Sequence, residues 1–209
     1  MARVLNGNII GNVGNLNYYM RNGVNYVRKR RGPNKQAPSG RQLANCQQFE
    51  LASRFINPIS EFIKVSYAGP CKMTGLSPYS LMLSEILKNS IRGTYPDQEM
   101  DMGKILVSKG TLLVAENPKI KVADGSLQYS WEVLDYGWPS ANERAMLLAC
   151  VPELGAAIFN VAGAKRSVGS DYLTPPESWR GKRIETYIAY KAETGLTVSN
   201  STYLGTVEF

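Results

Sequence analysis

Apolar positions along the chain follow two different periods. From about residue 40 to 93 they return every three or four residues, and from about residue 104 they alternate with polar ones. In the first stretch Ser39 and Gln42 stand at capping-box spacing, and Leu43, Cys46, Phe49, Ala52 and Ile56 follow at helical intervals. Asn57-Pro58 offers an N-cap with proline at the first helical position, so a second helix is expected through Ile59, Phe62 and Ile63. Ser77-Pro78 repeats that device before Leu81, Leu83, Ile86, Leu87 and Ile91, and Gly93 supplies a stop. The apolar stripes of these helices are expected to form a core, because a helix generally buries one face.

The alternating stretch predicts strands. Leu127, Tyr129, Trp131 and Val133 face one way and Gln128, Ser130 and Glu132 the other, after a turn at Asp124-Gly125. Ala145 to Val151 is apolar on both faces, as a central strand requires, and Pro152-Glu153-Leu154-Gly155 turns it into Ala156–Val161. Ile184, Thr186, Ile188 and Tyr190 alternate again; Glu193-Thr194-Gly195 turns, and a last strand runs from Leu196 to about Val207. Six or seven short strands with a tryptophan in an early one predict an immunoglobulin- or fibronectin-like β-sandwich, with Trp179 closing a corner.

Ahead of the helices lies a third kind of segment. Residues 7–15 are rich in Gly and Asn, which tolerate turns. Leu16 to Met20 and Val24 to Arg28 then flank Asn22-Gly23, the strongest short-range hairpin mark. Tyr18 and Met20 share one face of their strand; Val24, Tyr26 and Arg28 share one face of theirs. A lone hairpin is marginal in water, so it must dock on something. Residues 32–40 are a Pro/Gly linker. The expected class is therefore α+β, with a basic hairpin and linker at 1–40, a helical module at 41–103 and an immunoglobulin-like sandwich at 104–209.

Charge sharpens the division. The net charge is +7, yet the first 41 residues carry eight cations and no Asp or Glu, leaving the remaining 168 residues at −1. Four cations in a row, Arg28-Lys29-Arg30-Arg31, repel one another and invite an anionic partner. Arg21, Arg28, Lys29, Arg30, Arg31 and Lys35 are the candidate contact residues for nucleic acid or a protein neighbour. No RRM, zinc-finger or KH signature accompanies them, so any nucleic-acid binding is expected to be non-specific and salt-dependent.

Catalytic chemistry finds little support. Histidine is absent, which closes Ser-His-Asp and Cys-His nucleophile activation, imidazole bases and HExxH zinc sites. Cys46, Cys71 and Cys150 are odd in number and far apart, so they read as small buried hydrophobes with no disulfide. Asp97, Glu99 and Asp101 fail the EF-hand pattern, because Met102 stands where its turn glycine is needed; they read as a solvated acidic linker. No metal or cofactor is expected. Tyr136 and Trp138, in the loop Asp135–Pro139, could stack on a sugar or anchor a partner, or Trp138 could fold back on the core. The chain has no apolar run long enough to span a membrane and no secretory leader, so a virion or host-cytoplasm location is expected.

Several segments resemble an uncharacterised family of about this length, found in Bacteroidota genomes and their phages. The resemblance rests on the Gly-rich start, on Tyr19, Arg21, Gly23, Val27 and Arg28 in the hairpin, and on Gln42 and Phe49 opening the first helix. Residues 90–112 and 198–207 extend it to the middle and end of the chain. Similar hairpins occur in proteins encoded near phage structural genes. The resemblance implies no catalytic residue; it implies a structural or interaction role in a phage particle or prophage product, as an oligomer in contact with its own or other subunits. A non-specific nucleic-acid-binding module and a carbohydrate-binding immunoglobulin-like protein are the alternatives.

Overall fold

The computed structural model describes residues 2–5, 7–21, 23–32, 36–134 and 140–209. It divides into two units, Met1–Pro38 and Ser39–Phe209. The first is a four-stranded antiparallel meander in which β1 (Arg3–Leu5), β2 (Asn8–Val13), β3 (Leu16–Arg21) and β4 (Val24–Lys29) pair in chain order. Its tight turns fall at Gly14 and Gly23, both at positive φ, where a side chain would be strained.

In the second unit the helical signals act largely as read. Ser39 closes a complete capping box with Gln42 at the start of α1 (Gly40–Ile56). Ser77 caps α4 (Pro78–Asn89), with Pro78 at its first position. The expected Asn57 cap does not form. Asn57 keeps right-handed helical dihedrals, and the chain passes through a single 3₁₀ turn, Asn57–Ile59, into α2 (Ser60–Ser66) and α3 (Ala68–Thr74). Ile91 lies beyond α4, in the two-residue strand β5 (Ile91–Arg92) that pairs with β6 (Glu99–Met100). Gly93, at a φ of 81°, turns between these strands instead of ending the helix.

The C-terminal strands form two sheets. β7 (Lys119–Ala123), β8 (Ser126–Ser130) and β11 (Ser170–Leu173) make the smaller one, ordered β11-β8-β7. β9 (Arg144–Val151), β10 (Ala156–Asn160), β12 (Arg183–Lys191) and β13 (Thr202–Glu208) make the larger, ordered β10-β9-β12-β13. Counted within the sandwich, the first, second and fifth strands face the fourth, third, sixth and seventh. In the constant-type immunoglobulin order the fourth strand sits on the other sheet. The strand order here is that of a fibronectin-type sandwich, and the fold is α+β.

The larger sheet is buried on both faces. Ala145, Leu147, Ala149 and Val151 of β9, with Ile184, Ile188 and Tyr190 of β12, pack against Leu127, Tyr129, Trp131 and Trp179 on the sandwich side. Met146, Leu148 and Cys150, with Tyr187 and Ala189, turn to the other side and meet Phe55, Ile56, Ile59, Phe62, Ile63, Met82 and Ile86 of the helices. Each Val, Leu, Ile, Met or Phe side chain among them contributes about 1.5–3 kcal/mol on full burial. The helices thus share a core with the larger sheet, whose other face closes the sandwich, so residues 39–209 hold together as a unit and no break falls between 103 and 104.

Only the C-terminal half of α1 reaches that core. Ala52, Phe55 and Ile56 are buried, whereas Leu43, Cys46 and Phe49 are exposed, contrary to the core role expected for the whole stripe. Of the three cysteines, only Cys150 is a buried hydrophobe; Cys71 is half-buried, and all three are free thiols. No helix among the described residues is long and apolar enough to cross a membrane.

Candidate interaction surface

The candidate residues that the structure describes gather on the N-terminal meander. Pairing in the β3–β4 hairpin runs Arg21↔Val24, Met20↔Asn25, Tyr19↔Tyr26, Tyr18↔Val27, Asn17↔Arg28 and Leu16↔Lys29. Directly opposed residues of an antiparallel pair share a face, so the hairpin has two unlike sides. One carries Leu16, Tyr18, Met20, Asn25, Val27 and Lys29, extended by Val13 opposite Leu16 on β2. The other carries Asn17, Tyr19, Arg21, Val24, Tyr26 and Arg28. Tyr18 and Met20 therefore face away from Val24, Tyr26 and Arg28.

On the second side the Tyr19 and Tyr26 rings lie nearly parallel, 18° apart in plane and 5.6 Å between centroids. The Arg28 guanidinium stands over Tyr19, 5.5 Å from its centroid. Asn17 donates from its amide to the Asn12 side-chain oxygen at 2.6 Å. These two asparagines line a polar concavity of about 280 Å³ together with Arg28, Lys29, Arg30 and Arg31. The Arg30 amide donates to the Asn15 carbonyl at 2.6 Å, which carries the chain beyond β4 along the edge of the sheet.

All four of these cations, and Arg21, are exposed, and residues 1–38 contain no carboxylate side chain to pair with them. Lys35, and Tyr136 and Trp138 of the aromatic loop, lie outside the described residues. Tyr19 as the partner of Tyr26 escaped the sequence reading. The signal was present, since a two-residue turn at 22–23 puts position 19 opposite 26.

Elsewhere the second unit offers a groove of about 540 Å³ between α1, β6 and the β9–β10 turn, walled by Leu51, Phe55, Met100, Met102 and Pro152. Its guanidinium, Arg54, donates to the Glu153 carbonyl at 3.1 Å and so is already engaged by backbone. Asp97, Glu99 and Asp101 do not converge: Glu99 pairs with Arg92 at 3.2 Å and Asp101 with Lys104 at 3.7 Å. Among the described residues no three of Cys, Asp and Glu come together as metal ligands. Burial, with Glu185 adding to it, pushes the Cys150 thiol up, so that it stays protonated. Burial, with Glu185 as hydrogen-bond partner, likewise raises the Tyr203 phenol.

Fold and surface together define an α+β protein in which a fibronectin-type sandwich, backed by helices, follows a basic two-faced sheet. The chain belongs to the family of unknown function DUF6266, whose sequence profile matches residues 7–205. The expected kinship with an uncharacterised family of about this length therefore holds. No curated protein and no solved structure matches the chain.

Proposed function

We propose that this protein is a non-enzymatic structural or interaction protein of a phage particle or prophage product, docking on neighbouring subunits through its N-terminal sheet. One observation carries the proposal. No described residue of Met1–Pro38 is buried, although its four strands hold large apolar side chains, with Val13 49%, Leu16 40%, Met20 39% and Val27 53% exposed on a single face. A sheet gains stability by covering an apolar face, and contiguous exposed apolar area marks an interaction site. The resemblance of residues 19–28 to hairpins encoded beside phage structural genes supports a particle as the setting, in the virion or the host cytoplasm. The sandwich supplies the body of the subunit, and its free thiols match a reducing compartment.

Sedimentation velocity of the full chain tests the reading. The expected result is an assembly heavier than the 23.1 kDa monomer, dispersed by the double substitution Leu16→Asp/Val27→Asp. A strict monomer that is also absent from purified particles overturns it.

A further inference from the structure

We infer that the opposite face of the same sheet is a stacking platform for single-stranded nucleic acid, with Tyr19 and Tyr26 receiving bases and Arg21, Arg28, Arg30 and Arg31 holding phosphates. This face is the reverse of the apolar one used for docking, so the inference stands or falls without affecting that reading.

Three features point to this ligand. The first is the pair of rings, opposed across β3 and β4, 36% and 44% exposed and nearly parallel. A planar aromatic held on a sheet is the surface on which an unpaired base stacks, whatever its identity, whereas bases stacked inside a duplex cannot reach it. The second is the placement of charge. Arg21 and Arg28 share the face of the tyrosines at its two ends, and Arg30 and Arg31 continue from the Arg28 end. The segment has no acidic side chain of its own to oppose them. The third is hydrogen-bonding capacity beside the rings, supplied by the Asn12 and Asn17 amides that line the same concavity as Arg28 to Arg31.

An anionic membrane fits less well. A sheet lying on lipid needs its cations bordering its apolar side chains. Within the β3–β4 ladder the face of Leu16, Met20 and Val27 carries one cation, Lys29, while Arg21 and Arg28 lie on the other side. The strands are six residues long, about 20 Å, which is room for three or four nucleotides. Four phosphate contacts on a single strand give log K against log salt a slope of about −3.

The test is fluorescence anisotropy of the full chain with labelled dT12, and with a 12-base-pair duplex, between 50 and 200 mM salt. The single strand should bind at least about fivefold more tightly than the duplex, with the slope given above. Tyr19→Leu/Tyr26→Leu should weaken dT12 at least about tenfold and leave the weak duplex binding unchanged, while Arg28→Gln should weaken both. A second measurement needs no variant: the ring-proton resonances of Tyr19 and Tyr26 in the unmodified chain should shift on titration with dT12. Equal affinity for strand and duplex, no effect of the double substitution, unshifted rings, or binding to phosphatidylserine vesicles without binding to dT12 each overturn the inference.

Discussion

The guanidinium of Arg166 lies over the ring of Tyr190, its central carbon 3.6 Å from the centroid, with both side chains inside the protein. Nη2 of Arg166 sits 2.7 Å from Oε2 of Glu143, itself only 9% exposed, and Nε donates to the same oxygen at 2.9 Å. The remaining donors reach the carbonyls of Leu113 and Val114, and Trp131 donates from Nε1 to the Arg166 carbonyl at 2.7 Å. A buried charge of this kind is tolerable only when it is paired and its hydrogen bonds are made. The cluster therefore pins the loop before β7 and the turn before β11 to one end of the sandwich.

Removing one partner of that pair should be costly. Arg166→Met strands the Glu143 carboxylate and is expected to lower unfolding free energy by about 3–5 kcal/mol, read from urea midpoints at constant m. The double substitution Arg166→Met/Glu143→Leu should cost much less than the two single changes summed. A single-variant loss below about 1 kcal/mol would show that the pair is dispensable.

Acid should weaken the link between α4 and the loop before β7. Burial of Glu85 opposes its ionisation, but the Lys109 ammonium, donating at 2.6 Å, with help from Asn89 and Lys88, outweighs this and leaves the carboxyl below its ordinary range. A depressed folded-state value stabilises above the unfolded one, near 4.3, and the contribution disappears as pH falls through the folded one. Lys109 is about half exposed, so the contribution is about 0.2–1 kcal/mol. Glu85→Gln should flatten the acid limb of a stability–pH curve below about pH 5 by that amount; curves that superimpose would refute the assignment.

At the alkaline end the phenols decide. Burial raises the ionisation of Tyr67, Tyr129 and Tyr187 above the usual value near 10, and each hydroxyl donates to a backbone carbonyl, of Leu106, Leu148 and Met102 respectively. Raised folded-state values stabilise below pH 10, and that stability is lost as pH climbs further, because only the unfolded chain ionises readily. Absorbance at 295 nm should show these three phenols unionised in the native protein at pH 11, appearing together on unfolding. Full ionisation before unfolding would contradict it.

Thiol chemistry should rank the cysteines by exposure. Cys46, on the open face of α1, is expected to react fast with an aromatic disulfide reagent at pH 8. Cys71, its thiol raised by burial, should be slower, and Cys150 should react only on unfolding. Cys46→Ser should delete the fast phase alone; a fast phase that survives would mean that α1 presents a different face.

Much of this architecture was readable because local chemistry and global packing agree. Ser39 with Gln42 and Ser77 with Pro78 announce their helices through hydrogen bonds made within four residues. The alternation of Leu127 and Tyr129 names the buried face of β8 without reference to its partners. The stripe of Leu43, Cys46 and Phe49 misleads because periodicity shows which residues share a face, not how far the opposing layer extends. Asn57-Pro58 misleads differently. Asparagine followed by proline suits an N-cap, but a 3₁₀ turn accepts the same pair and keeps Ile59 in the core. The charged surface was legible as composition, whereas its faces depended on a register that only strand pairing fixes.

Strand β9 raises a question of alignment that polarity cannot answer. A one-residue slip normally exposes an apolar set to water and is rejected for that reason; here both sides are apolar, and hydropathy would accept the error. Volume supplies the missing code. Toward the sandwich Ala145 lies opposite Tyr190, Leu147 opposite Ile188 and Ala149 opposite Thr186; toward the helices Met146 lies opposite Ala189 and Leu148 opposite Tyr187. Sliding the strand by one would put Met146 in the place of Ala145 and Ala149 in the place of Leu148, overfilling one of two close-packed interiors and leaving a void in the other. The frame of the sheet is thus written in side-chain size.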